Sequence, residues 1–168
     1  MQPVRPATSP DAAQLHVRAI TTADADLLAV AFSRLSDHAR YQRFLGPKTR
    51  LTAAELRYLT DIDHRTHDAL AALDPGDGSF VGVARYATYP EDPATADFAF
   101  VVADAWQGRG VGAMLGRELL ARASANGIAR MTATTLAENR PARAALRRMG
   151  FRTRALGSGE VELELDLG

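Results

Sequence analysis

The residues best suited to chemistry are Trp106-Gln107-Gly108-Arg109-Gly110-Val111-Gly112, set between an apolar run, Phe98 to Ala103, and a helical run that starts near Ala113. A strand that empties into a glycine-rich turn and then a helix is a natural phosphate site. Glycines let the backbone approach an anion with no Cβ in the way, so that several N–H groups converge on it. The helix that follows adds the partial positive charge of its N-terminus. The segment therefore predicts a site for the pyrophosphate of a nucleotide-like cofactor. Read as a dinucleotide fingerprint it is poor, because Leu115 stands where the third glycine belongs and Gly116 comes one position late. The P-loop pattern fails as well, since no Lys-Ser/Thr pair follows.

The elements around this loop can be read from periodicity and caps. Met114, Leu115, Leu119, Leu120 and Ala123 recur at helical spacing, and Asn126-Gly127 suits a left-handed cap. Ile128 to Leu136 predicts a strand and Ala144 to Met149 a short helix. Phe151 to Leu156 and Val161 to Leu167 predict a closing hairpin; in the second, Val161, Leu163, Leu165 and Leu167 alternate with Glu162, Glu164 and Asp166. Upstream, Leu15 to Ile20 reads as a strand. Thr22 is placed to cap a helix through Asp24 to Leu35, and Ser36 one through Tyr41 to Leu45. Thr52-Ala53-Ala54-Glu55 is a capping box for a helix that runs to about Thr60. Ala69 to Leu73 and Phe80 to Tyr89 predict strands around the turn Asp74 to Ser79. The predicted order is β-α-α-α-β-β-β-α-β-α-β-β. Consecutive antiparallel strands before the phosphate loop argue against a Rossmann domain.

Gln107 to Gly112 fits Q/R-x-x-G-x-G/A, the coenzyme A pyrophosphate loop of the GNAT acetyltransferase superfamily, and the chain resembles that superfamily over about residues 14 to 167. Phe44-Leu45-Gly46-Pro47, Thr60 to Arg65, Val81 to Tyr86, Phe100-Val101-Val102 and Leu136 to Pro141 narrow the resemblance. Together they are similar to the GNAT domains of bacterial, actinobacterial-type protein lysine acetyltransferases that act on acyl-CoA synthetases. The resemblance implies an α/β (α+β) fold, with a mixed central sheet of about seven strands, a splayed and bulged cofactor strand, and flanking helices. It implies one such domain over residues 15–168 and acetyl-CoA as the acyl donor, while residues 1–14, with three Pro and few apolar residues, predict a mobile tail.

The resemblance also assigns roles. Gln107, Gly108, Arg109, Gly110, Val111 and Gly112 would hold the pyrophosphate. Phe100, Val101 and Val102 would pair through their backbone with the pantetheine arm and the thioester carbonyl, although core burial explains their apolar type equally well. Asn139 matches a position near the cofactor sulfur and is equally a helix cap. Arg143, one turn on, would reach a cofactor phosphate or stand exposed. Asp97 heads the strand that feeds the loop, where lysine-directing members often carry Glu, and is the candidate general base or else a strand-entry residue that faces solvent. Leu146 stands where many members have a Tyr as general acid, so no acid is assigned.

The chain has no cysteine, which excludes disulfides, thiolate zinc sites and an acyl-cysteine intermediate. Transfer is then most simply direct, from thioester to amine. A lysine ammonium, with a reference pKa of about 10.4, must first lose its proton. His64 and His67 form H-x-x-H beside Asp61, Asp63 and Asp68, which reads as a substrate-side or structural feature rather than a metal site. Arg40, Tyr41, Arg43 and Arg65 either line the acceptor mouth or form an exposed basic face. A formal net charge of zero gives no reason to expect nucleic acid as a partner, and no apolar run is long enough for a membrane helix. The expected setting is cytoplasmic. Three functions fit these observations: a protein lysine acetyltransferase, a small-amine (aminoglycoside or polyamine) acetyltransferase, and a non-catalytic acyl-CoA sensor.

Overall fold

Seven strands and five α-helices follow one another in the predicted order in the computed structural model, which describes residues 11–168. Strand β1 (His16–Ala19) leads to α1 (Ala25–Arg34), α2 (Asp37–Phe44) and α3 (Ala53–Thr60). Then come β2 (His67–Leu73), β3 (Phe80–Tyr89), β4 (Asp92–Val102), α4 (Val111–Ala125), β5 (Arg130–Leu136), α5 (Arg140–Arg148), β6 (Arg152–Leu156) and β7 (Glu160–Asp166). The tail expected over residues 1–14 lies outside the described residues up to residue 10. Residues 12–14 form a short 3-10 turn that buries Ala12.

The helix starts follow local chemistry. Thr52 and Glu55 form the predicted capping box, each side chain bonding the other's backbone N–H. Ser36 accepts from Ala39 N at 3.1 Å at the start of α2. Ahead of α1 the cap is Thr21 rather than Thr22: Thr21 and Asp24 close a box over a 3-10 turn that leads into the helix. Arg18 fixes Asp24 there with two bonds, at 2.7 and 2.8 Å.

The sheet order is β1-β2-β3-β4-β5-β7-β6, and every neighbouring pair is antiparallel except β4–β5. Helices cover both faces of its centre. Leu70, Ala72, Ala84, Tyr86 and Phe98 pack with Leu115 and Leu119 of α4 and Leu146 of α5. Ala69, Ala71 and Val83 pack on the other face with Leu28 of α1, and with Leu56 and Leu59 of α3. Burial on both faces is why β2 and β3 read as continuous apolar runs. At the far edge, β6 is exposed along its whole length, and only β7 shows clean alternation.

Two features of β4 bear on the site. The strand begins at Asp92, not near Phe98, so Asp97 lies within the strand and does not head it as expected. Its irregularity also lies at its start. Residues 96–102 keep one unbroken register with β3, from Thr88↔Ala96 to Gly82↔Val102, and the shift falls between Thr88 and Tyr89, whose partner is Asp92. The cofactor strand therefore carries its bulge at its start and is regular over residues 96–102. The extra residues sit beside Pro93, which has no N–H to give a ladder.

Candidate active site at the splay of two strands

The parallel ladder between β4 and β5 has three rungs, Thr95↔Arg130, Ala96↔Met131 and Asp97↔Thr132. Beyond Asp97 the strands part. Residues 98–102 stay paired with β3, and β5 stays paired with β7 as far as Leu136. A cleft of about 230 Å³ opens between them. Phe98 to Val102 form one wall and Ala133 to Thr135 the other; the start of α4 and the first turns of α5 close the ends.

The α4 end is built to hold an anion. A 3-10 turn, Asp104–Trp106, leads from β4 into Gln107. Gln107 Nε2 donates back to Val102 O at 3.2 Å and to Asp104 Oδ1 at 3.3 Å, which closes the loop on the strand end. Gly108 (φ +74°) and Gly110 (φ +81°) take left-handed conformations with open space where a Cβ would stand. Gly110 is the N-cap of α4 and has no side chain to offer, and no acidic residue stands in the first turn. The N–H groups that open α4 are thus left for a ligand, with the helix dipole uncompensated. Arg109 does not line the cleft; its guanidinium stacks over the Trp106 ring, 5.0 Å from the centroid.

Gly112 has a different physical role from the other loop glycines. A Cβ there would stand 2.8 Å from Phe100 Cε2, so its lack of a side chain lets α4 approach β4 closely. Alanine is favoured over glycine inside a helix by about 1 kcal/mol. Here overpacking, at about 1–3 kcal/mol, outweighs that gain, so Gly112→Ala is expected to lower stability, read as a lower urea midpoint.

On the α5 side, Asn139 is buried at the cleft wall and caps the helix, accepting from Ala142 N at 3.2 Å. Arg143 does not line the cleft. Its Nη1 turns back to Ala137 O at 2.9 Å, and Arg148 reaches the cleft instead. Leu146 is buried and lines the cleft, and its side chain has no proton to give.

Asp97 occupies the last rung before the split, on the same face of β4 as Ala99 and Val101. It is exposed, yet the protein around it desolvates the carboxyl and pushes it above the ordinary carboxylate range, with the Arg43 charge opposing. Arg43 comes from α2 and lines the cleft, while Arg40 of the same helix is tied to Phe32 O and Ser33 O. Arg85, which the sequence reading did not single out, lies on β3 opposite Ala99. A guanidinium within an otherwise apolar run, Phe80 to Tyr86, was the signal for it.

The two histidines of H-x-x-H have separate protein partners. His64 Nδ1 meets Asp68 Oδ1 at 2.9 Å, and His67 Nε2 accepts from Arg85 Nη1 at 3.1 Å. Burial, then the Arg85 charge, lower His67 from 6.5 to about 4. Below about pH 6.5 the unfolded chain takes up this proton and the folded chain does not. Stability should therefore fall from about pH 6.5 to about pH 4 and level off below. Urea unfolding at pH 7 and pH 5 should show a smaller loss in His67→Gln than in the wild type.

Comparison with known proteins agrees with this geometry. Residues 14–152 match the family described as acetyltransferase (GNAT) domain. An acetyltransferase of Pseudomonas aeruginosa is 34% identical over 143 residues, which cover 84% of this chain and 76% of that protein. The acetyltransferase Pat of Mycolicibacterium smegmatis is 27% identical over 90% of this chain, which spans 45% of that longer protein. The crystal structure of the GNAT domain of S. lividans PAT superposes with a TM-score of 0.82, at 34% identity over 90% of both chains.

Proposed function

The chain belongs to the GNAT acetyltransferase family, with acetyl-CoA as its acyl donor, and from that premise we propose that it acetylates the side-chain amine of a lysine on a protein, an acyl-CoA synthetase, in the cytoplasm. One observation carries the catalytic part: the β4–β5 ladder ends at Asp97, so a carboxylate stands at the last rung before a cleft lined by an unpaired strand edge and a bare helix N-terminus. The residues fit the donor. The open space at Gly108 and Gly110 and the free N–H groups at the start of α4 suit a pyrophosphate. The edge of β4 at Phe100, Val101 and Val102, which has no β5 partner, suits an amide-bearing arm.

Acetyl-CoA supplies an activated acyl thioester. The rest falls to the chain. Asp97 takes the ammonium proton, directly or through one water, and its raised proton affinity brings it nearer to that task than an ordinary aspartate. Asn139 holds the start of α5 at the cleft wall. Leu146 offers no proton, so a thiolate leaving group would take its proton from water.

The acceptor reading is supported by the residues quoted above for protein lysine acetyltransferases and by the likeness to the S. lividans PAT domain and to M. smegmatis Pat. Remote protein contacts then supply the specificity, so free lysine is a poor substrate. The test is incubation of the protein with an acyl-CoA synthetase and labelled acetyl-CoA, followed by mass spectrometry of the modified site. One acetylated lysine, with loss of synthetase activity, is expected. Efficient labelling of a free aminoglycoside or polyamine with no protein labelled would move the acceptor to a small amine.

A further inference from the structure

A second cavity, of about 60 Å³, lies beneath α1–α3 on the face of β4 that carries Ala99 and Val101. Most of its wall is apolar, with Leu28, Phe32, Leu51 and Leu59 among the contributors. Two guanidiniums interrupt that wall, Arg43 and Arg85. The cavity joins the cofactor cleft, because Arg43, Ala99 and Val101 line both.

Cations in an apolar wall are costly unless paired. Neither arginine has a carboxylate within ion-pair distance among the described residues. Arg85 is only 8% exposed. Its Nη1 donates to Leu59 O at 3.2 Å and to His67 Nε2 at 3.1 Å, both neutral acceptors. Arg43 stands over the Phe44 ring, 4.9 Å from the centroid. Burial and the nearby Arg43 charge pull Arg85 down to about 9. An anion between the two guanidiniums would relieve both. A carboxylate fits their planar, forked donors best, and the apolar wall suits a short methylene stem.

We propose that Arg43 and Arg85 form a subsite for a carboxylate on a short aliphatic stem, which enters from the cofactor cleft past Ala99 and Val101. The proposal rests on the acetyltransferase reading, since acyl transfer is what brings a chain to that opening. Two reactants meet there. The carboxylate arrives either as the far end of a dicarboxylic acyl group on the donor or as an acidic side chain beside the acceptor amine.

Two arms separate these sources. The first titrates butyryl-CoA and succinyl-CoA calorimetrically; both acyl groups have four carbons, and one ends in methyl and the other in carboxylate. The second compares KM, with acetyl-CoA as donor, for lysine peptides that carry Asp or Asn beside the lysine. In one arm the carboxylate should be preferred by about tenfold or more, and Arg43→Gln and Arg85→Gln should reduce that to about twofold or less. Arg85→Lys, which keeps the charge, should restore part of it. Among the described residues Arg43 makes no side-chain hydrogen bond, so Arg43→Gln decides the matter if an Arg85 variant does not fold. Equal affinities for the two thioesters together with no peptide preference, or a preference that survives Arg43→Gln, overturn the subsite. Acetyl-CoA binding and turnover of the Asn peptide by the wild type report on the underlying acetyltransferase reading separately.

Discussion

Asp97→Asn will lower the turnover of amine acetylation by about 10²–10⁴-fold, the usual cost of removing a general base. Acetyl-CoA affinity should change little, because Asp97 lines neither the pyrophosphate loop nor the cleft wall. The asparagine keeps the size and the strand position and loses only the ability to accept a proton. The pH dependence follows from the direction of the carboxyl's shift. Asp97 must be ionised to act, and desolvation raises its pKa, so the acid limb of kcat/KM should sit above the ordinary carboxylate range and vanish in the variant. Initial rates from pH 5 to 9 check both points. An Asp97→Asn enzyme with wild-type turnover across that range would assign Asp97 to structure.

Gly110→Asp will weaken acetyl-CoA binding by at least about a hundredfold, equivalent to losing two charge-assisted hydrogen bonds. The new carboxylate would sit at the N-cap of α4, where the free N–H groups point and the dipole is positive. It competes for those donors and repels the pyrophosphate. The fold should survive, because nothing lies within 4 Å of the added Cβ and aspartate tolerates a left-handed backbone better than most residues. Gly110→Ala separates the two effects: it carries the backbone strain without the charge and should lose far less affinity. Calorimetric titration of both variants with acetyl-CoA, beside their melting temperatures, is the check. Equal losses in the two would show that backbone shape, and not charge, governs the loop.

The element order was legible because each element carries its own local signal. The Thr52–Glu55 box, the alternation of β7 and the glycines at 108 and 110 all announce themselves within a few residues. The rest depends on contacts that the local pattern does not announce. The early start of β4 at Asp92 is set by β3 and β5, and the Pro-containing sequence there reads locally as a loop. Arg85 looks out of place in an apolar strand until α2 and α3 lie over it. Arg143 stands at a spacing that would reach a phosphate, but the nearer Ala137 carbonyl takes its guanidinium, and Arg148 faces the cleft. Gly112 reads as one more loop glycine, whereas its contact with Phe100 shows that it sets a helix–strand distance. The cleft itself follows from the point where two strands part, and no window of sequence marks Asp97↔Thr132 as the last rung.

A cleft that performs acyl transfer differs from one that merely binds a thioester in what it releases. Release of coenzyme A thiol from acetyl-CoA, followed with and without a lysine-bearing acyl-CoA synthetase, tests for transfer most directly. Release should depend on the acceptor, match acetyl-lysine formed mole for mole, and fall with Asp97→Asn. Saturable acetyl-CoA binding with no acceptor-dependent release, from any protein or small amine offered, would contradict acyl transfer and leave an acyl-CoA-binding module.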